Sequence, residues 1–191
     1  SSTCALPISL RQELLEKRLA LSHHAELHQS LEKMLSDYLA THKVSCLGIY
    51  WPIKGEFDPR PCALEWVEKS ASRKLALPIV TVGKPLTYGT WEQDTTLVKG
   101  HASIPEPLLG ESSKEIIPDL LLLPCLGWSY QNNQFWRIGY GGGYYDRTLE
   151  RYAQLQLPTK ALGLAFKVQE VKEGDWRPQT HDHPLSDLLK A

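Results

Sequence analysis

The feature that most constrains this 191-residue chain is a glycine-rich run between two segments of different character. Residues 137–147 read Arg-Ile-Gly-Tyr-Gly-Gly-Gly-Tyr-Tyr-Asp-Arg, with four glycines in five positions. Because glycine has no Cβ atom, this backbone can turn tightly and approach a ligand closely. Tyr145, Leu149 and Tyr152 then recur at helical spacing, which predicts a helix that begins near Gly143.

A glycine loop that leads into a helix favours anion binding, because free N–H groups and the positive end of the helix dipole face the same point. Arg137 and Arg147 flank the run, so the pattern predicts a phosphate site. Asp146 lies in the first helical turn, where its charge suits the dipole but repels a phosphate. A Mg²⁺ ion between them would remove the conflict, since Mg²⁺ favours one or two carboxylates together with phosphate oxygens.

The run matches neither of the two common nucleotide-binding motifs. No Gly-Lys-Ser/Thr follows it, and Tyr144 stands where the dinucleotide fingerprint needs its third glycine. Glycine richness alone would favour a flexible hairpin turn. The aromatic pair, the aspartate and the arginines together favour a ligand site.

The composition predicts one globular domain that covers residues 1–191. The net charge of -1 gives no global argument for nucleic acid or an anionic membrane. No apolar run approaches the roughly 20 residues of a membrane span, and no secretory signal is visible. The scattered cysteines form no Cys-x-x-Cys pair, which argues against zinc and a disulfide framework. We therefore expect a cytoplasmic monomer with no nucleic-acid or membrane partner.

Predicted helices and strands alternate along the chain. Two helices come first, with apolar stripes through Leu14 and Leu31 and with Ser22 as the cap between them. Another helix passes through Leu64 and Val67, and residues 100–118 are predicted to be a loop. Strands are predicted over residues 44–51, 75–80, 88–91, 97–98, 120–123, 135–138 and 161–166. This order predicts an α/β fold, a single domain whose largely parallel sheet is flanked by helices, with two N-terminal helices. The glycine loop lies between a strand and a helix, where open α/β sheets usually bind ligands.

Two acidic segments are further candidate sites. Glu56 and Asp58 would point to one side of an extended segment and could accept hydrogen bonds from the amino-pyrimidine edge of a pterin. Their spacing alone favours a solvated acidic loop. In residues 181–183, His-Asp-His, the oxygen ligand Asp182 suits Mg²⁺ better than either histidine, with a polar loop as the alternative. His24 and His28 are expected to be surface residues.

Together these motifs resemble the 5-formyltetrahydrofolate cyclo-ligase (methenyltetrahydrofolate synthetase) family. The match is close to verbatim over residues 137–147, and the resemblance spans nearly the whole chain. The other segments that carry it are Leu10-Arg11 with Arg18 and Ser22, Glu56-Phe57-Asp58, Leu77-Pro78, Ile104 to Pro107, Asp119 to Pro124, Leu164-Ala165-Phe166 with Gln169, and His181-Asp182. Any one of these except the glycine run would be weak evidence.

The resemblance implies ATP-dependent ring closure of 5-formyltetrahydrofolate to 5,10-methenyltetrahydrofolate, with release of ADP and phosphate. ATP would phosphorylate the formyl oxygen, and N10 would then attack the activated carbon. Formamide oxygen is a poor leaving group, and phosphorylation makes it a good one. The protein would mainly position the reactants and stabilise charge.

The resemblance also implies roles for individual residues. ATP would contact Arg11 and the run Arg137, Ile138, Gly139, Tyr140, Gly141, Gly142, Gly143, Tyr144 and Tyr145. Of these, Arg11, Arg137 and Tyr145 are the implied catalytic residues. The folate would contact Ile53, Glu56, Asp58 and Tyr144. The implied Mg²⁺ ligands are Asp146 and Asp182.

Three positions depart from the family pattern. Pro7 stands where many relatives carry a lysine that helps bind ATP, Gly142 where some have lysine, and Ser129 where aspartate is common. Pro7 keeps open the alternative of a nucleotide- or folate-binding homologue without cyclo-ligase activity. A phosphotransferase that acts on another substrate is the second alternative.

Overall fold

A six-stranded sheet organises the part of the chain that the structure describes, a computed structural model of residues 8–109 and 114–191. The described strands are β1 (Cys46–Gly48), β2 (Lys74–Ile79), β3 (Thr87–Thr90), β4 (Leu97–Lys99), β5 (Pro105–Pro107), β6 (Leu120–Pro124), β7 (Gly127–Gln131), β8 (Gln134–Ile138), β9 (Lys160–Ala165), β10 (Pro184–Leu185) and β11 (Asp187–Lys190). The large sheet has the order β11-β9-β6-β1-β2-β3. All its neighbours are parallel except β2 and β3. The predicted largely parallel α/β fold is therefore confirmed.

Four α-helices lie in the described residues: α1 (Ile8–Ala20), α2 (Ala25–Thr41), α3 (Arg60–Glu68) and α4 (Tyr144–Gln154). The cap of α2 differs from the prediction. His24 Nδ1 accepts a hydrogen bond from the Leu27 N–H, whereas the Ser22 hydroxyl donates to the Leu19 carbonyl at the end of α1. The interpretation of Ser22 as the cap is wrong, because the turn after α1 places His24 next to the first free N–H groups. No described helix is both long and apolar enough to cross a membrane.

The core lies on both faces of the large sheet. On one face, leucines of β1, β2, β6 and β9 pack against an apolar stripe of α2 and against α3. The residues in this cluster include Leu31, Leu35, Leu39, Leu47, Ala63, Leu75, Leu122 and Leu162. On the other face, alternate residues of the same strands pack with Tyr152 of α4. They include Ala76, Leu121, Leu123 and Ala161. Because successive side chains of a strand point to opposite faces, the leucine run of β6 is buried on both sides, as predicted. The result is a layer of helices on each side of the sheet.

A small antiparallel sheet of β10, β8 and β7 carries the chain into the glycine run. Asn132 and Asn133 connect β7 to β8 with φ of +54° and +59°, as a two-residue hairpin turn requires. The strands β7, β10 and β11 were not predicted. The prediction of a loop over residues 100–118 is wrong at Pro105–Pro107, because this segment pairs with β4 as strand β5.

Candidate active site

The glycine run is a loop between the end of β8 and the first turn of α4. Gly143 is the residue that caps α4, and its φ of +70° is left-handed. Gly141 has a φ of +101°, which side chains with a Cβ atom rarely adopt. No side chain of the described residues caps the helix, which leaves the N–H groups of its first turn available to a ligand. The predicted junction of glycine loop and helix is confirmed.

Guanidinium groups lie against three of the glycines. A Cβ atom added to the glycine would lie 3.0 Å from Arg11 at Gly141, 2.7 Å from Arg137 at Gly139 and 2.7 Å from Arg147 at Gly143. Arg11 Nε and Arg147 Nε are both buried without a hydrogen-bond partner among the described residues. Buried donors without partners are costly, so the loop is a site at which an anion would satisfy them.

Two of these arginines are held by aromatic faces. The guanidinium of Arg137 lies 4.6 Å from the ring centre of Tyr145, and its Nε donates to the Pro124 carbonyl. The guanidinium of Arg147 lies 4.8 Å from the ring centre of Tyr144. Burial raises the pKa of Tyr145, so its hydroxyl stays protonated at neutral pH. The aromatic pair therefore orients the cations of the loop.

An acidic pair lies beside the loop. Burial raises the pKa of Asp146, and the charge of Asp182 raises it further. Asp146 Oδ1 accepts from the backbone N–H of His183 at 3.1 Å, and Asp182 Oδ2 accepts from the backbone N–H of Gln179 at 2.7 Å. The structure thus brings together the two carboxylates that the sequence suggested as metal ligands.

The histidines beside Asp182 are occupied differently. His183 Nε2 lies 2.7 Å from Glu150 Oε2, and His181 Nε2 lies 3.5 Å from Asp182 Oδ1. Among the described residues, no group of three or more histidine, cysteine, aspartate or glutamate side chains could hold a metal. An open pocket of about 540 Å³ covers this region, lined by Gly143, Asp146, Arg147, Glu150, Thr180 and His181. Its size is within the range of small-molecule sites.

The segment from Ile53 to Asp58 is turned, which differs from the extended segment considered for its carboxylates. Lys54 and Gly55 have φ of +48° and +75°. The turn brings Glu56 Oε1 to 2.8 Å from the Ile53 N–H, and the Glu56 side chain is buried. Burial raises its pKa. A solvated loop is therefore the wrong interpretation for Glu56.

Asp58 has different surroundings from Glu56. Its carboxylate pairs with Arg60 through two oxygens, each 2.9 Å from a guanidinium nitrogen, and it also accepts the Arg60 N–H at the start of α3. Arg60 in turn lies 4.2 Å over the Trp51 ring. Asp58 is only half-buried. It is therefore accessible to a ligand only in competition with, or alongside, its arginine partner.

Arg18 of α1 lies between the glycine loop and residues 53–58, which are called the acidic segment from here on. It is 1% exposed, and its guanidinium contacts Glu56, the Lys54 and Cys125 carbonyls and the Tyr140 hydroxyl. A small pocket of about 10 Å³ adjoins it, lined partly by Glu56 and Tyr50. From the sequence, Arg18 was placed only in a family pattern, and Arg147 was a flanking charge of the predicted phosphate site without a ligand contact of its own. Arg18 follows Arg11 by seven residues, two helical turns, and this spacing is the signal that puts both on one face of α1.

The remaining sequence predictions have mixed outcomes. Pro7 lies outside the described residues. Ser129 is buried in β7, where its hydroxyl accepts from the Gln131 side chain. His24 is exposed as predicted, but His28 is half-buried with its ring 4.9 Å from that of Phe166.

Fold and site together define an α/β protein with a glycine loop, faced by three arginines, at a helix N-terminus and an acidic pair beside it. The model of the 5-formyltetrahydrofolate cyclo-ligase family matches residues 7–190. The 5-formyltetrahydrofolate cyclo-ligase of Haemophilus influenzae is 26% identical over 178 residues, which are 89% of this chain and 88% of that one.

Two solved structures have the same fold. An NMR structure of the Aquifex aeolicus 5,10-methenyltetrahydrofolate synthetase is 26% identical, with a TM-score of 0.73, and the match covers 97% of this chain and 90% of that one. A 5,10-methenyltetrahydrofolate synthetase from Mycoplasma pneumoniae is 23% identical, with a TM-score of 0.70 and coverage of 94% and 95%. The chain belongs to the 5-formyltetrahydrofolate cyclo-ligase family. The predicted family and the predicted class, a ligase, are confirmed, and the family implies ATP as co-substrate.

Proposed function

We propose that this chain converts 5-formyltetrahydrofolate to 5,10-methenyltetrahydrofolate with consumption of ATP. The observation that carries the proposal is the set of three guanidinium groups around the glycine loop, beside two carboxylates, in a chain that matches the family from residue 7 to 190. A triphosphate is a ligand that uses several cations, free helix N–H groups and nearby carboxylates at once.

The nucleotide phosphates would lie on the glycine loop. Arg11 and Arg137 face two of its glycines and would bind phosphate oxygens, with the backbone from Ile138 to Tyr145 around them. Guanidinium groups suit this role because they remain charged and bind phosphate oxygens in pairs. As the γ-phosphoryl group is transferred, Arg11 and Arg137 would stabilise the charge on its oxygens. Tyr145 would act through Arg137, which it orients.

The folate would lie at the acidic segment, close to the same loop. The carboxyl group of Glu56, buried against Arg18 and hydrogen-bonded to the Ile53 N–H, would accept hydrogen bonds from the edge of the pterin, with Ile53 beside it. Asp58 and the ring of Tyr144 would complete the contacts. The Arg18 bridge from this segment to Tyr140 supports the proximity of the two sites.

The acidic pair fits Mg²⁺. The charge of Asp182 contributes to the raised pKa of Asp146, so the two carboxylates are close. Each carboxylate uses one oxygen in its hydrogen bond to a backbone N–H, which leaves the other oxygen for a metal ion. Two protein carboxylates with phosphate oxygens and water are a usual Mg²⁺ environment, and such a site needs no third protein ligand. When bound, the ion would neutralise phosphate charge. Its absence would leave Asp146 to repel the nucleotide.

The chemistry asks little covalent work of the side chains. The formyl oxygen of the substrate attacks the γ-phosphorus, the bond from the γ-phosphorus to the bridging oxygen of ADP breaks, and ADP leaves. N10 then adds to the activated formyl carbon and loses its proton, and phosphate leaves with the electrons of the carbon–oxygen bond. Arg11, Arg137 and the loop N–H groups serve by positioning and charge stabilisation.

The test is a spectrophotometric assay with purified protein, Mg²⁺ and 5-formyltetrahydrofolate. The methenyl product has an extended conjugated system, so near-ultraviolet absorbance should rise only when ATP is present. A matched reaction contains an ATP analogue whose β,γ-bridge cannot be cleaved and should show no rise. Folate binding without ATP consumption would instead support a binding homologue. ATP turnover that folate fails to stimulate would support a different phosphotransferase.

We also propose that the protein acts as a cytoplasmic monomer on small molecules, without a nucleic-acid or membrane partner. The near-neutral net charge of the chain supports this, since it gives no global attraction to nucleic acid or to an anionic membrane. Light scattering at assay concentration gives the mass that checks the monomer.

A further inference from the structure

We propose that Arg18 is a buried positioning residue that couples the two halves of the site, so that nucleotide on the glycine loop and folate at the acidic segment strengthen each other's binding. The inference rests on the proposed function. The family pattern includes Arg18 without assigning it a role, and the role proposed here follows from its contacts.

Arg18 joins three separate segments of the chain. Its Nε donates to the Lys54 carbonyl at 3.1 Å, its Nη1 to the Cys125 carbonyl at 3.2 Å and its Nη2 to the Tyr140 hydroxyl. These acceptors belong to the acidic segment, the residue after β6 and the glycine loop. One rigid planar group thus fixes the distance between the loop that would hold phosphate and the segment that would hold the pterin.

Arg18 also interacts with Glu56 through its charge. Arg18 Nη1 lies 3.9 Å from Glu56 Oε2, and the charge of Arg18 counteracts the effect of burial on the pKa of Glu56. Both side chains are almost fully buried. In a low-dielectric site a small displacement of the guanidinium changes its interaction with Glu56 strongly. If nucleotide binding shifts Tyr140, the Arg18 guanidinium would move with it and the strength of its interaction with Glu56 would change.

Arg18 is too deeply buried to contact a nucleotide on the loop directly. Arg18 is 1% exposed, whereas Tyr140 is 40% exposed. A ligand on the loop can reach Tyr140 but not the Arg18 guanidinium behind it. Arg11, two turns earlier on the same face of α1, lies against Gly141, and its Nε has no hydrogen-bond partner in the described part of the chain. The helix therefore presents one arginine to the ligand and uses the other to connect the two loops.

The experiment measures coupling in binding, without turnover. Calorimetry gives the Kd of 5-formyltetrahydrofolate with and without the non-cleavable ATP analogue and Mg²⁺, and the Kd of the analogue with and without the folate. By linkage, the two ratios must agree. We expect each ligand to strengthen the other by on the order of tenfold in the wild type, and Arg18→Lys to reduce the ratio to about one because lysine lacks the planar fork.

Two further variants keep the result interpretable. Arg73→Lys is the matched control, since Arg73 also donates to a backbone carbonyl and stacks on an aromatic ring but touches neither loop; its coupling should equal that of the wild type. Tyr140→Phe removes one partner of Arg18 from an exposed side chain and serves if Arg18→Lys does not fold. It should lower the ratio, and it should cost less stability than Arg18→Lys because it keeps the guanidinium and its two carbonyl acceptors.

The outcomes separate the two proposals. If both ligands bind the wild type independently, or if Arg18→Lys and Tyr140→Phe keep the full ratio, Arg18 is only structural and the inference is wrong. If the wild type binds neither ligand, the proposed function fails and this inference falls with it.

Discussion

At the scale of single residues, the site contains a carboxylate placed where its charge is disfavoured. Asp146 lies in the first turn of α4, where the helix dipole stabilises negative charge. Burial and the neighbouring Asp182 oppose that charge and raise its pKa. A cation is the simplest group that would reverse this balance, which is why a costly arrangement is compatible with function.

The first prediction is that Asp146→Asn lowers kcat by about 100-fold or more while the protein stays folded. Asparagine keeps the size of the side chain and an oxygen for the His183 N–H, but it removes the charge that a Mg²⁺ ion needs. Steady-state rates and melting temperatures check this. Asp37→Asn, an exposed aspartate on α2 paired with Lys33, is the matched control. Parallel losses of activity and melting temperature would show a structural role instead.

A second prediction follows from the direction of the pKa of Asp146. With the folded pKa raised above the unfolded value, the wild type loses stability as the pH rises through the interval between the two values. Without Mg²⁺, Asp146→Asn should therefore be more stable than the wild type at neutral pH. The advantage should shrink to nothing as the pH falls below 3.8, the ordinary pKa of the group. Urea unfolding over this pH range measures it, and a pH-independent difference would contradict it.

At the scale of elements, the glycine loop depends on two left-handed residues, Gly141 and Gly143, and each also leaves room for an arginine. Gly141 needs glycine for its φ of +101° and because a Cβ atom would lie 3.0 Å from Arg11. Gly83 has a φ of +73° with nothing within 4 Å of a Cβ atom. Comparing substitutions at Gly141 and Gly83 therefore separates the effect of backbone strain from the effect of moving a functional side chain.

The third prediction uses that pair. Gly141→Ala and Gly83→Ala should each lower the free energy of unfolding by about 1–2 kcal/mol, the cost of a left-handed conformation for an L-residue. Only Gly141→Ala should raise the Kd of the nucleotide, by up to about tenfold, because the methyl group pushes the Arg11 guanidinium out of its position against the loop. Calorimetric titration and urea unfolding give both quantities. Equal nucleotide affinity in the two variants would mean that Arg11 does not bind phosphate.

The elements also show where sequence patterns are informative. The strand β6 could be predicted because four consecutive leucines suit a strand buried on both faces. The strands β7 and β11 could not, since Gly127 begins one and Asp187 the other, and neither shows a clear period. Pro105–Pro107 looks like a loop because proline cannot donate a ladder hydrogen bond, and only pairing with β4 makes it a strand.

At the scale of the whole molecule, the site is assembled from segments that are distant in sequence. The glycine run and its helix were evident from local chemistry, because a loop and a helix start are local features. The burial of Glu56 and Arg18 was not evident, because it depends on α1 packing against turns more than 30 residues away. The pairing of Asp58 with Arg60 was also not predicted from the sequence.

The last prediction concerns the stability of the whole fold with ligands. A ligand that binds only the folded state at about 100 times its Kd adds about 2.7 kcal/mol. For a chain of this size that raises the melting temperature by about 5–10 °C. ADP with Mg²⁺ should produce this shift in the wild type, and ADP with EDTA should produce much less, since Asp146 and Asp182 then repel the phosphates.

The same melting experiment distinguishes the metal from the cations of the loop. In Asp146→Asn the repulsion by one carboxylate is removed, so the shift with ADP should depend much less on Mg²⁺. In Arg137→Gln the shift should be small with or without the ion, because a guanidinium that faces Gly139 is lost. If EDTA leaves the wild-type shift unchanged, the acidic pair does not bind Mg²⁺ with the nucleotide, and the arginines and helix N–H groups alone account for phosphate binding.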